Sequence, residues 1–197
     1  MKIEEPDLSG SYSYADYVKW QWTEMVELIH GKIFKMSPAP GTAHQKVCVE
    51  FTRQIANHLV GKKCQAFVAP FDVRLPVSSY RNSDSEITTV VQPDVCVVCD
   101  PAKIDDRGCL GAPDWIIEIL SSSTSSKDLR QKFDVYENSG VREYWIVHPV
   151  EQTVLIYILD ENGKYKSSSK PFVREDKIVP VTLSALTIDL VLVFPNE

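Results

Sequence analysis

The chain has no long apolar run, no regular cysteine framework, no surplus of positive charge and no glycine-framed serine. Each absence removes a class of protein. No segment approaches the roughly 20 apolar residues that a membrane-spanning helix needs, and the opening MKIEEPDLSG is too polar and acidic for a signal peptide. A cytoplasmic location with no membrane partner is expected. The five cysteines, Cys48, Cys64, Cys96, Cys99 and Cys109, are odd in number and irregularly spaced, which fits reduced thiols in a reducing compartment. Cys96 and Cys99 spell C-x-x-C, yet residues three apart in a strand point to opposite faces, and no second pair exists to complete a zinc site. There is no G-x-S-x-G elbow and no Cys/His pair in a suggestive context, so a nucleophilic hydrolase is disfavoured. With Lys+Arg at 21 against Asp+Glu at 27, the net charge of -6 argues against a protein that coats nucleic acid non-specifically.

What is present is an ordinary globular composition, 44% apolar and 24% charged over 197 residues. It predicts one domain over residues 1–197 with a substantial core, preceded within that span by a loose leader at 1–13. The most informative stretch runs from Gln92 to Tyr136. It places two carboxylates in segments that should be purely apolar: Asp94 opens Val95-Cys96-Val97-Val98-Cys99, and Glu118 lies inside Trp115-Ile116-Ile117-Glu118-Ile119-Leu120. Both read as buried strands.

A carboxylate ionised in such a place costs several kcal/mol unless it is paired, hydrogen-bonded or bound to metal, a cost of order ~5 kcal/mol. Two readings of Glu118 stand: a structural ion pair with Lys127, Arg130 or Lys132, or a metal ligand. Alternation puts Asp114, Ile116, Glu118 and Leu120 on one face, but Asp114 lies about 13 Å from Glu118 along the strand and cannot share a small cation with it. Asp94 can, if its strand pairs with that of Glu118, and two carboxylates with room for water is the usual way to hold Mg2+.

The remainder of the chain reads as alternating elements. A short helix is expected from Tyr14 to Trp22, then a hairpin with strands Met25 to Ile29 and Lys32 to Met36 around a His30-Gly31 turn. Thr42 to Gln45 has capping-box spacing and opens a helix to Gly61 with Val47, Cys48, Phe51, Ile55 and Leu59 inward. Strands follow at Gln65 to Ala69 and Phe71 to Leu75, broken at Pro70, with Asp72 as a spare carboxylate near the break. Pro76 to Thr89 reads as a polar loop, and Pro101 to Pro113 as a connection between the acid-bearing strands. Ser125 and Asp128 have capping-box spacing for a helix ended by Gly140, whose stripe is Leu129, Phe133 and Tyr136. Lys132 sits on the edge of that stripe, about 60° from Leu129, able to reach the sheet or to pair with Asp128 in solvent. Strands at Tyr144 to Val147 and Thr153 to Leu159 come next. The alternation Leu186, Ile188, Leu190, Leu192, Phe194 predicts a final apolar strand that closes the core or docks on another subunit, with a homodimer favoured.

Pro93-Asp94, the downstream strand carrying Glu118, and the stretches VELIHGKIFKMSPAPGTAH, VVQPDVCVV, GAPDWIIEILSSST, KDLRQKFDVYENSGVREYWIVHP and LSALTIDLVLVF together resemble the Uma-type restriction endonuclease family. That family is catalogued as a domain of unknown function within the PD-(D/E)XK nuclease superfamily. The resemblance implies an α/β (α+β) fold of the restriction-endonuclease-like kind: a mixed central sheet flanked by helices, with an N-terminal β-hairpin and a C-terminal β extension. It also implies a Mg2+-dependent endonuclease acting on DNA, with Mn2+ as a substitute cation. Asp94 and Glu118 would be the metal ligands, the Ile119 carbonyl a helper, and Asp94, Glu118 and Lys132 the catalytic set.

The superfamily pattern asks for Lys two residues after the acid, where this chain has Leu120; in Uma-type sequences that lysine resembles one supplied by the following helix, here Lys132. Glu27, His44 and Tyr136 match positions assigned to substrate contact or support of the metal ligands, with a solvated strand face and a helix-start contact the plainer readings of Glu27 and His44. Lys62, Lys63, Arg74, Arg81, Arg130 and Arg142 are candidates for a local basic rim, and the 76–89 loop for a DNA contact. The alternative function is a catalytically silent nuclease-fold module for binding or regulation, which accommodates both the acidic charge and the displaced lysine.

Overall fold

A computed structural model of the chain describes residues 7–20, 25–36, 41–77, 83–121 and 126–194, with the side chains of 126–128 excepted. In chain order the elements are α1 (Tyr14–Tyr17), β1 (Val26–Ile29), β2 (Lys32–Lys35), α2 (Thr42–Leu59), β3 (Gln65–Val68), β4 (Val73–Arg74), β5 (Val90–Val91) and β6 (Val95–Val98). They continue with β7 (Ile104–Asp105), β8 (Gly108–Leu110), β9 (Trp115–Ile119), α3 (Ser126–Ser139), β10 (Glu143–His148), β11 (Thr153–Leu159), β12 (Tyr165–Ser167), β13 (Phe172–Val173), β14 (Lys177–Ile178), β15 (Ile188–Asp189) and α4 (Leu190–Val193). A single 3-10 turn at Pro101–Lys103 precedes β7.

The strands form a seven-stranded sheet in the order β12-β11-β10-β9-β6-β3, with β13 on β11, and a six-stranded sheet in the order β2-β1-β5-β4-β8-β7. Both are mixed: β9 runs parallel to β10 and β4 parallel to β8, while the other pairs are antiparallel. This is the mixed α+β, restriction-endonuclease-like architecture that the family resemblance implies.

Strict alternation in β6, β9 and β10 sorts their side chains into two cores. Val95, Val97, Trp115, Ile117, Ile119, Trp145 and Val147 point to one side, where α2 contributes Val47, Phe51, Ile55 and Leu59. Cys96, Ile116, Tyr144 and Ile146 point to the other, where they meet Val135 and Tyr136 of α3 and Ile29, Val73 and Val91 of the six-stranded sheet. The second core is therefore where both sheets and α3 come together.

The β1–β2 hairpin turns at His30 and Gly31, both at positive φ (49° and 76°), the two-residue geometry that matches strand twist. Other expectations are corrected. The first helix is a single turn, ending at Tyr17, and Trp22 lies outside the described residues. Gly41, not Thr42, is the N-cap of α2, and no side chain caps it. The 101–113 connection contains the β7–β8 hairpin, whose β8 pairs with the distant β4. The apolar tail is not a long strand: after β15 it turns into α4, so Leu190, Val193 and Phe194 are buried while Leu192 is 52% exposed. The change to helical spacing closes the α2-side core. Ser125 and the side chain of Asp128 lie outside the described residues.

The cysteines also depart from expectation. Cys64 and Cys99 form a disulfide, because the β3–β6 register that sets Gln65 opposite Val98 brings the residues just beyond that pair face to face. Cys48, Cys96 and Cys109 are free thiols. As strand parity requires, Cys96 packs on the α3 side and Cys99 on the α2 side.

Candidate active site

The antiparallel β6–β9 register pairs Val95 with Ile117. One step further, Asp94 and Glu118 are opposite each other, and Glu118 carries the parity of Ile116, which faces α3. The two acids thus sit at the same end of the seven-stranded sheet on neighbouring strands, Glu118 turned to α3 and Asp94, just ahead of β6, turned to the Ile119 N–H and to His44 of α2.

Each is tightly held. Asp94 Oδ2 accepts from the Ile119 backbone N–H at 2.7 Å, and Asp94 Oδ1 lies 3.2 Å from His44 Nε2. His44 begins the inward stripe of α2 and is 8% exposed. Burial pushes its pKa down, but the hydrogen bond and charge of Asp94 outweigh this and leave it raised. On the α3 side, Tyr136 O–H donates to Glu118 Oε1 at 2.6 Å, and Lys132 Nζ donates to the same oxygen at 3.0 Å. Lys132 Nζ also lies 2.9 Å from Glu27 Oε1. Glu27 Oε1 accepts in addition from the Gln92 backbone N–H at 2.8 Å. Lys132 is thereby a bridge between Glu27 of the six-stranded sheet and Glu118 of the seven-stranded one.

The electrostatics follow from this crowding. Burial above all raises the Glu118 carboxyl to about 7, against the pull of Lys132 and with a further push from Asp94 and Glu27. Burial works against the Lys132 ammonium too, but Glu118 and Glu27 more than compensate and keep it protonated. Burial also drives the Tyr136 hydroxyl well above its ordinary value, so it serves as a donor and not as a phenolate.

The donor set suits a hard cation. Tyr136 and Lys132 both address Glu118 Oε1, which leaves Oε2 with its lone pairs among the described residues, and each Asp94 oxygen has only one partner above. No group of three or more His, Cys, Asp or Glu side chains converges as a ligand set among the described residues. Two carboxylates with water completing the shell is an arrangement magnesium accepts and structural zinc does not.

The structure therefore brings Asp94, Glu118, Lys132, Glu27, His44 and Tyr136 into one cluster. Glu118 has the ion-pair partner that one of its two readings asks for, Lys132, and its Oε2 has no partner among the described residues. Asp114 is elsewhere, with its Oδ2 accepting from the Cys99 N–H at 2.7 Å. Lys127 and Arg81 fall outside the described side chains. Arg74 is no rim residue: it is 1% exposed, ion-paired to Asp105 at 2.6 Å and laid over the Tyr14 ring. The loop is described at 76–77 and 83–89, where Arg107 reaches Asp84 at 2.6 Å.

Sequence reasoning missed the support of Glu27. Besides its backbone N–H, Gln92 donates through Nε2 to Asp72 Oδ1 at 2.8 Å and to Tyr17 OH at 3.2 Å, and burial raises the Asp72 carboxyl. The only signal was the polar Gln92 directly before Pro93-Asp94 in an otherwise apolar run.

Two relatives from Synechocystis sp. (strain ATCC 27184 / PCC 6803 / Kazusa) are both uncharacterized: protein slr1290, 25% identical over 153 residues (76% of this chain and 75% of that protein), and protein sll1609, 27% identical over 130 residues (64% and 68%). A crystal structure of a "putative nuclease belonging to DUF820" from Anabaena variabilis ATCC 29413 superposes with a TM-score of 0.72 at 22% identity, covering 93% of this chain and 97% of that one, and shares its fold. No helix among the described residues is long and apolar enough to cross a membrane. Residues 14–190 match the Uma2 family, described as "Putative restriction endonuclease", and the chain belongs to that family.

Proposed function

We propose that the protein is a Mg2+-dependent endonuclease that hydrolyses DNA phosphodiester bonds. The observation that carries this reading is the meeting of Asp94, Glu118 and the Lys132 ammonium at one end of one sheet. The family description and the fold shared with a protein titled a nuclease support it.

Asp94 and Glu118 would hold the cation. When bound, a divalent ion supplies an acidified water and neutralises phosphate charge. The chain supplies the rest. His44 and the Ile119 N–H fix the Asp94 carboxylate, and Tyr136 fixes that of Glu118. Lys132, kept charged by Glu27, is a fixed positive group beside the negative charge that builds on the phosphoryl oxygens. Glu27 is a positioning residue that acts through Lys132.

Nicking of supercoiled plasmid in Mg2+ or Mn2+ tests the reading. The wild type should cut, while Asp94→Asn and Glu118→Gln should not; full activity in both would refute it. The catalytically silent alternative draws on the net charge of -6 and on the neutralisation of Lys132 by two carboxylates. It predicts indifference to Mn2+ in the wild type.

A further inference from the structure

Half-buried phenylalanines border the cluster. Phe34 stands directly opposite Glu27 in the β1–β2 ladder, which puts their Cβ atoms about 5 Å apart. Phe67 stands opposite Cys96, so it is the diagonal neighbour of Asp94, with Cβ atoms about 7–8 Å apart. The ring of Phe71 lies on that of Phe67 at 4.1 Å and 7°. All three rings pack on the α3-side core without being closed over by it. Asp94, at 20% side-chain exposure against 10% for Glu118 and 6% for Glu27, marks the open side of the cluster, and Phe67 is its diagonal neighbour across the β3–β6 pair.

Nucleic-acid affinity usually comes from Lys and Arg on phosphates. A chain of net charge -6, in which Glu27 and Glu118 both engage the Lys132 ammonium and Asp72 and Asp94 add further carboxylates nearby, offers little of it at this spot among the described residues. Stacking on aromatic faces is the remaining general grip, and it requires a base out of its duplex. We infer that the Phe67–Phe71 pair is a stacking shelf for an unpaired base next to the bond to be cut, so that the preferred substrate is single-stranded DNA or a duplex with an unpaired nucleotide. This rests on the endonuclease reading and specifies its substrate class.

The test uses the full chain in EDTA, titrated with an oligonucleotide carrying one 2-aminopurine, as a single strand and as a duplex. The single strand should be quenched on binding and bind at least about tenfold more tightly than the duplex. Phe67→Leu and Phe71→Leu, which keep apolar bulk, should abolish the quench and weaken single-strand binding about tenfold, whereas Phe67→Tyr, which keeps the π face, should retain both. Equal affinity for the two forms, an unaltered quench in the leucine variants, or no binding overturns the inference. Because no cleavage is read, the outcome is separable from the endonuclease reading. Plasmid nicking without a quench sinks the shelf alone, and a quench without nicking supports the shelf and sinks only the catalytic reading.

Discussion

Asp94 and Glu118 stand opposite each other one residue beyond the antiparallel Val95–Ile117 pair, Glu118 held by Lys132 and Tyr136 of α3 and Asp94 by His44 of α2. Two acids so placed repel each other, and a divalent cation relieves that repulsion. Isothermal titration with Mn2+ should therefore show one site in the wild type and at least a tenfold loss on Asp94→Asn or Glu118→Gln, an effect of about 1.4 kcal/mol or more. His44→Phe should weaken the same site by about 10–100-fold through the carboxylate it orients.

Lys132 answers two carboxylates at once, which ties it to the stability of the fold. Truncating one partner of a buried charge group costs about 3–5 kcal/mol. Lys132→Met should lower the urea-unfolding free energy by that order at pH 8. Adding Glu27→Gln to it should recover part of the loss. A fully stable Lys132→Met protein would show that the ammonium is not needed to neutralise the pair.

The raised Glu118 carboxyl sets a pH window. Its folded value of about 7 exceeds its ordinary 4.5, so the folded state binds more protons between those limits and stability falls as pH rises through them. The contribution is complete below 4.5 and lost above about 7, with an upper limit of roughly 3 kcal/mol. Denaturant titrations at several pH values should show wild type losing stability over this window, and Glu118→Gln losing measurably less. Identical pH profiles would contradict the burial argument.

Gly108 and Gly61 both have positive φ, but their surroundings differ. A Cβ on Gly108 would lie 2.2 Å from the Asp72 carbonyl oxygen, whereas nothing lies within 4 Å of one on Gly61. Gly61→Ala should cost about 1 kcal/mol for conformation alone, and Gly108→Ala about 2 kcal/mol or more beyond that, because backbone cannot move aside cheaply. Thermal melting of the two variants side by side measures the difference.

Much of this centre was legible in the sequence because its logic is local. Asp94 and Glu118 stand out as charges in apolar runs, parity sets the face of Glu118, pairing of the two strands brings Asp94 beside it, and the Leu129, Phe133, Tyr136 stripe places Lys132 on the edge next to the sheet. What stayed hidden depends on register between distant segments. Cys64 meets Cys99 only because β3 pairs with β6, and Ile104 to Leu110 becomes a hairpin through its contact with the two-residue β4. Gln92 likewise takes its role only from Glu27, Tyr17 and Asp72, which reach it from other segments of the chain. The tail misled because alternate leucines fit either a strand or one turn of helix once burial on both sides is available.

The bridge made by Lys132 joins two sheets whose strands alternate along the chain, β3, β6 and β9 in one and β4, β5, β7 and β8 in the other. A protein in which only one of them has formed owns either the pair of acids or the hairpin glutamate, never the assembled trio with its amine. The cluster therefore exists only where both sheets are in place, and loosening either one takes it apart.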